Sequence, residues 1–186
     1  LVAALAVRGV EIVAEAPEAG QTLWATGVAG LETLNAGHPR LVGAGIKGQA
    51  ALLQLDQGGA AQLFADGVHV IPHLDGTVAV GGTTEREYDS PDSTDAQLDA
   101  VIAKARAAVP ALQDAPVIER WAGLRPRSRS RAPMLGAWPG RPGQYIANGG
   151  FKIGFGMAPK VAEVMADLLL EGRDAIPEGF RVGDNL

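Results

Sequence analysis

The chain has 186 residues, enough for one substantial core or two small ones, with 47% hydrophobic residues and a formal net charge of −5. That acidic balance argues against a nucleic-acid partner, which needs a basic surface, and no apolar run approaches the length of a membrane span. The absence of cysteine excludes disulfides, thiolate metal sites and a cysteine nucleophile, and suits a cytoplasmic protein. His38, His69 and His73 are not spaced as helical metal ligands, so no metal is expected.

The opening stretch, residues 1–10, starts without methionine and reads as a helix already under way that ends at Gly9 in a left-handed C-cap. It has neither the basic start nor the cleavage site of a signal peptide, so this chain is expected to be the C-terminal part of something longer. Residues 10–13 read as a short strand, and residues 21–27 as a second one leading into a glycine turn. Residues 43–48 form a glycine-rich, flexible passage before a strand at 49–55. Val68–Pro72 and Thr77–Gly81 flank Asp75-Gly76, the dipeptide of a tight hairpin. A two-residue loop there sets His69 opposite Gly82, with open space beside the imidazole.

Thr94 and Gln97 have the spacing of a capping box, and the helix beyond places Leu98, Val101, Ile102 and Ala105 on one face until Pro110. Residues 117–124 return as a strand. A last helix from near Pro159 carries Val161, Val164, Met165, Leu168 and Leu169 inward and stops at Gly172, and the tail from Arg173 has little pattern. Hairpins followed by separate helices predict an α+β fold, a mixed, mainly antiparallel sheet with helices on one face.

Two stretches carry chemistry: Trp121-Ala-Gly-Leu-Arg-Pro126 and Asn148-Gly-Gly-Phe-Lys-Ile-Gly-Phe-Gly156. Strand alternation puts Trp121, Gly123 and Arg125 on one face, so the missing side chain at Gly123 leaves a recess between an aromatic wall and a guanidinium. Pro126 biases Arg125 toward extended backbone, and a guanidinium there can grip a carboxylate by two parallel hydrogen bonds. The structural alternative is an ion pair with Glu119. The glycines at 149, 150, 154 and 156 let backbone approach a ligand, with a helix N-terminus just beyond and Lys152 to add charge. Their alternative is a plain loop with a surface lysine. Arg127, Arg129 and Arg131 read as a solvated loop or an anion-attracting rim, His69 as a substrate contact or a half-buried structural residue, and His38 and His73 as surface. No Ser-His-Asp order, no carboxylate pair and no strand-led G-x-G-x-x-G stands out.

Taken with Leu23-Trp-Ala-Thr-Gly27, Lys47-Gly48-Gln49 and Val80-Gly-Gly-Thr-Thr84, these motifs resemble the C-terminal half of FAD-dependent oxidoreductases of the D-amino-acid oxidase and glycine oxidase family, over residues 1–170. The resemblance implies oxidation of the C–N bond of a small amine or amino acid, with hydride passing to the flavin. It implies that Arg125 holds a substrate carboxylate, that His69 stands where glycine oxidase has a tyrosine, that Thr84 stands where it has a methionine, and that Trp121 lines the same site. It places Thr26, Gly27, Gly149, Gly150, Phe151, Lys152, Ile153 and Gly154 against FAD. Histidine for tyrosine, Lys152-Ile153 for the Arg-Asn of relatives, and the Arg127–Arg131 stretch in place of a Thr-Pro-Asp-Gly turn are departures from the family pattern. The implied organisation is FAD-domain elements at 1–42 and 140–172, a substrate domain at 43–139 and a tail at 173–186. The family's N-terminal FAD fingerprint is missing from this sequence, so its partner would be the N-terminal FAD-binding segment or a separate subunit, and a homo-oligomer stays open. The alternative from another class is a non-catalytic carboxylate-binding or interaction domain without flavin.

Overall fold

In the computed structural model, which describes residues 1–17 and 19–186, the chain builds two sheets. The smaller has β1 (Thr22–Trp24) parallel to β8 (Gln144–Asn148), which pairs antiparallel with β7 (Met134–Ala137). The larger is antiparallel throughout, in the order β3 (Leu63–Ala65), β4 (Val68–Pro72), β5 (Thr77–Gly81), β2 (Gly43–Gln54) and β6 (Val117–Ser128). The α+β architecture is therefore as the sequence predicts.

Alternation along β2 decides which face is covered. Its odd-numbered residues Ala51 and Leu53 join Val68, Val70, Val78 and Val80 in a core closed by Leu98, Ile102 and Ala105 of α3 (Ala96–Ala108). Each such large aliphatic side chain contributes about 1.5–3 kcal/mol when fully buried. At the other end of the same face sits α2 (Gly27–Ala36): a Cβ on Gly43 would stand 3.0 Å from Leu31, and one on Gly45 would stand 3.2 Å from Val28. The even-numbered residues Ile46, Gly48 and Ala50 face the opposite side, where Trp121 and His69 are exposed. The smaller sheet is covered by α4 (Gly154–Glu171), whose Val164 and Met165 cluster with Leu135 and Ile176.

Several local expectations need correction. Helix α1 (Val2–Val7) ends as foreseen, with Gly9 at φ 74°, yet residues 10–13 form no strand and are exposed. Gly27 opens α2 rather than closing a turn; two glycines in the first turn are poor helix formers, which hid this element. Residues 43–48 are strand, not a flexible passage, because each glycine there admits a neighbour's side chain. His73 N–H donates to Thr77 O at 2.8 Å, so the hairpin loop is Leu74-Asp75-Gly76, with Gly76 at φ 83° and Asp75 accepting from Thr77 N–H. This register sets His69 opposite Gly81 rather than Gly82.

Asp95, not Thr94, caps α3, its carboxylate accepting from Gln97 N–H at 2.9 Å. Strand β6 continues beyond residue 124 to Ser128. Helix α4 begins at Gly154, and Pro159 lies inside it, leaving the Phe155 carbonyl without its intrahelical donor. The tail is ordered: Ile176 and Val182 are buried, Leu135 N–H donates to Phe180 O, and Ser130 N–H donates to Asn185 Oδ1.

Candidate functional site

The open face of the large sheet carries the predicted substrate residues. Register pairs Trp121 with Ala50, Gly123 with Gly48 and Arg125 with Ile46, so all three β6 side chains share that face. His69 pairs with Gly81, which pairs with Ala50, so the imidazole lies in the same cross-strand row as Trp121. Between them the floor is Gly81, Ala50, Gly48 and Gly123, nearly free of side chains. The His69 ring stacks at 4.5 Å on Phe64, and its Nδ1 lies 3.1 Å from Gln62 Nε2. Thr84 is exposed beside this face.

Arg125 folds back over the floor. Its guanidinium occupies the space that a Cβ on Gly48 would need, and a Cβ on Gly82 would stand 3.1 Å from Nη2. Nη1 donates to the Thr83 carbonyl at 3.1 Å. Among the described residues no carboxylate is within ion-pair distance of it, so the alternative pairing with Glu119 is not formed. Burial draws its pKa down from the ordinary arginine value while the charge of Glu85 opposes that shift, and a guanidinium stays cationic throughout the physiological range. One donor on Thr83 leaves others of the planar fork for an anion. Gly48→Ala is therefore expected to displace the guanidinium with little loss of thermal stability, since the colliding atoms end a flexible side chain. Carboxylate affinity, measured by titration, should fall about tenfold.

The second predicted stretch meets the end of β6 one residue past Arg125. Phe151 N–H donates to Pro126 O at 2.9 Å, and Gly150 bridges Arg127. Gly149 has φ 73°, Phe151 has φ 46°, and a Cβ on Gly150 would stand 2.7 Å from Gly154 Cα. Asn148 anchors the turn, donating to Gly27 O at 2.8 Å and accepting from Gly149 N–H at 2.7 Å. α4 starts immediately afterwards with no side chain capping it, so its first N–H groups, at the positive end of its dipole, have no side-chain acceptor from the N-cap. Gly149→Ala should destabilise the fold by about 1–3 kcal/mol in a thermal melt, because it forces a left-handed backbone and a Cβ contact with Ser128.

A groove of about 620 Å³ runs beside this turn, lined in part by Gly27, Gly149, Gly150, Phe151 and Gly154. Five predicted cofactor residues thus meet at one cavity. Lys152 and Ile153 are exposed on the same turn, Lys152 Nζ lying 5.6 Å from the Phe151 ring centroid. The hydroxyl of Thr26 lies against Gly30, where it would block a Cβ. The three arginines form no common rim. Arg127 stacks over Phe151 at 5.5 Å, Arg129 donates to Leu186 O at 2.8 Å, and Arg131 occupies a turn at φ 70°. Among the described residues no acid and histidine cluster could hold a metal, and no helix is long and apolar enough to cross a membrane.

Sequence reasoning missed a polar cluster under the floor: Lys47, Gln49 and Glu85 are buried, with Thr83 and Asp95 bonded to them. The alternation of β2, which directs residues 47 and 49 into the covered face, was the available signal.

The chain matches the DAO family, described as FAD dependent oxidoreductase, over residues 2–168. A glycine oxidase of Pseudomonas putida is 35% identical over 126 residues, which span 67% of this chain and 34% of that protein. A bifunctional protein ThiO/ThiG of a Nostoc species is 32% identical over 109 residues, 59% of this chain and 17% of that one. Among solved structures, the iminodiacetate oxidase of a Chelativorans species superposes with a TM-score of 0.74 at 24% identity, covering 89% of this chain and 46% of that chain. The glycine oxidase of Bacillus cereus gives 0.72 at 23% identity, covering 83% and 43%. The chain spans about a third of the length of the Pseudomonas glycine oxidase it matches.

The close-approach glycines and the N-terminus of α4, which no side chain caps, are compatible with a flat, anionic group such as the FAD that the family uses. Among the described residues no phosphate cradle is formed: the G-x-G-x-x-G spacing at 43–48 lies inside β2 and leads into no helix. With residues 2–168 matched, and a fold shared with flavoenzymes, this chain belongs to the DAO family of FAD dependent oxidoreductases.

Proposed function

We propose that this chain is the substrate-side part of an enzyme that oxidises the C–N bond of a small amine bearing a carboxylate, an α-amino acid being the simplest case. The observation that carries the reading is the Arg125 guanidinium, lying over Gly48 on a bare floor and tied, among the described residues, to a backbone carbonyl and no carboxylate. FAD, when bound, supplies the two-electron acceptor that turns the amine into an imine.

The protein's own share is orientation and electrostatics. Arg125 receives the carboxylate through two parallel hydrogen bonds and so fixes which way the α-carbon faces. Trp121 and His69 bound the floor on either side, with Thr84 at its edge. Gly149, Gly150, Phe151, Ile153 and Gly154 would hold the flavin ring when it is bound, with Thr26 and Gly27 beside them, and Lys152 with the α4 N-terminus would favour negative charge there. No side-chain base is assigned. In this reading residues 43–139 form the substrate domain, residues 1–42 and 140–172 belong to the flavin side, and the FAD phosphates are held by residues outside this chain. The relatives' greater length supports that division.

The test compares an α-amino acid with the amine lacking its carboxylate, using the complete flavin-loaded protein, in which this chain is joined by the residues that hold the FAD phosphates. We expect the amino acid to be preferred about 100-fold in kcat/KM. Equal use of both would remove Arg125 from the role.

A further inference from the structure

Beyond β5 the chain leaves the regular ladder. Ala50 pairs with Gly81, but Lys47 bridges Glu85, so Gly82, Thr83 and Thr84 span the two positions Gly48 and Gln49. A bulge of this kind re-aims groups that an unbroken ladder would consume. Here the Thr83 carbonyl reaches Arg125 Nη1 on the open face at 3.1 Å, while the Thr83 side chain enters the covered face. Its Oγ1 accepts from Gln49 N–H at 2.8 Å and donates to Glu85 Oε1. The same Glu85 oxygen accepts from Gln49 Nε2 at 3.0 Å, and Lys47 Nζ stands 3.6 Å from the other oxygen. Gln49 Nε2 also donates to Asp95, the cap of α3, at 2.9 Å.

We propose that Thr83 is a positioning residue: clamped from behind by Gln49 and Glu85, it presents its carbonyl so that Arg125 is held ready for the substrate carboxylate. The inference rests on the reading of Arg125 as carboxylate anchor. Its physical basis is the long, rotamer-rich arginine stem, which would otherwise have to be ordered at the moment of binding. A guanidinium tied to a fixed carbonyl is ordered beforehand, and that difference appears as ligand affinity.

The experiment titrates the complete flavin-loaded protein, including the residues that hold the FAD phosphates, with acetate, a carboxylate without a reacting amine, and follows the visible flavin spectrum. Thr83→Val keeps the shape and removes the hydroxyl, and Thr83→Ser keeps the hydroxyl. Thr83→Val should bind acetate about tenfold more weakly and raise KM for an amino acid by a similar factor, with kcat nearly unchanged. Thr83→Ser should behave as the parent protein. Should Thr83→Val not accumulate as folded holoenzyme, Thr83→Ala is read by the same criteria.

Parent-like acetate binding in Thr83→Val, with binding lost in Arg125→Ala, would overturn the positioning role and leave the anchor standing. Parent-like binding in both variants would overturn the anchor and this inference with it. A Thr83→Ser variant as weak as Thr83→Val would also overturn the inference, because the hydroxyl clamp would not be the cause.

Discussion

Replacing Arg125 by alanine in the complete flavin-loaded protein is expected to raise KM for carboxylate-bearing amines about 100-fold while FAD stays bound. Hydrogen bonds to charged groups contribute about 1.5–3 kcal/mol each, and every 1.4 kcal/mol is a factor of ten in affinity. Two parallel bonds to one carboxylate, reduced by water that replaces them in the variant, lead to that range. Stability should change little, because the guanidinium lies on an open face and its loss returns one carbonyl, that of Thr83, to solvent. Arg125→Lys keeps the charge but not the planar fork and should recover only part of the affinity. A lysine ammonium is a point donor, whereas the shelf over Gly48 accommodates a flat group. Steady-state kinetics, with flavin occupancy read by absorbance, check both variants. An unchanged KM in Arg125→Ala would refute the anchor.

The sequence makes some of this site legible and hides the rest for identifiable reasons. The common face of Trp121, Gly123 and Arg125 follows from strand alternation alone, and the structure keeps it because β6 is regular there. The hairpin was placed correctly, but its register was one residue off. Asp75-Gly76 serves a two-residue loop and a three-residue loop equally well, and only the position of Leu74, exposed in the loop, separates them. Glycines misled most. In β2 they read as flexibility, yet Gly43 makes room for Leu31, Gly45 for Val28 and Gly48 for Arg125. A glycine announces a missing side chain and not the neighbour that fills the space. The cluster of Lys47, Gln49, Glu85 and Asp95 was hidden because charged residues are ordinarily solvated, and its members are brought together across long stretches of sequence. The FAD assignment rests on resemblance, because the glycine spacing at 43–48 lies inside β2 and forms no phosphate cradle.

Lys47→Met is expected to destabilise the fold by about 3–5 kcal/mol, the range for removing one partner of a buried ion pair. Lys47 is 2% exposed and Glu85 is 6% exposed. Among the described residues Glu85 Oε2 has no hydrogen-bond partner, and the Lys47 charge stands 3.6 Å from it. Methionine fills the volume but removes the nearest cation from that carboxylate, leaving it the two donors on Oε1 and the more distant charge of Arg125. Replacing both residues by apolar ones, Lys47→Met with Glu85→Leu, removes the stranded charge and should recover about half of the loss. Gln49 Nε2 keeps Asp95 as an acceptor in the double variant, so it is not left unpaired. Asp95 adds a pH dependence of known sign. Donation from the Gln49 amide, then from Gln97 N–H, with the Lys47 charge assisting, holds its carboxyl below the usual value of 3.8. Its stabilising contribution is thus fully present above that value and is lost as pH falls through the lower folded pKa. Lys47→Met weakens one of those causes and should narrow the acid-stable range. Denaturant midpoints at neutral and acid pH check these expectations, and a Lys47→Met loss below about 1 kcal/mol would show that the pair is not a buried, mutually dependent one. The double variant also separates folding from binding: it regains part of the lost stability but lacks the Glu85 acceptor for Thr83, so its carboxylate affinity should stay low despite the recovered stability.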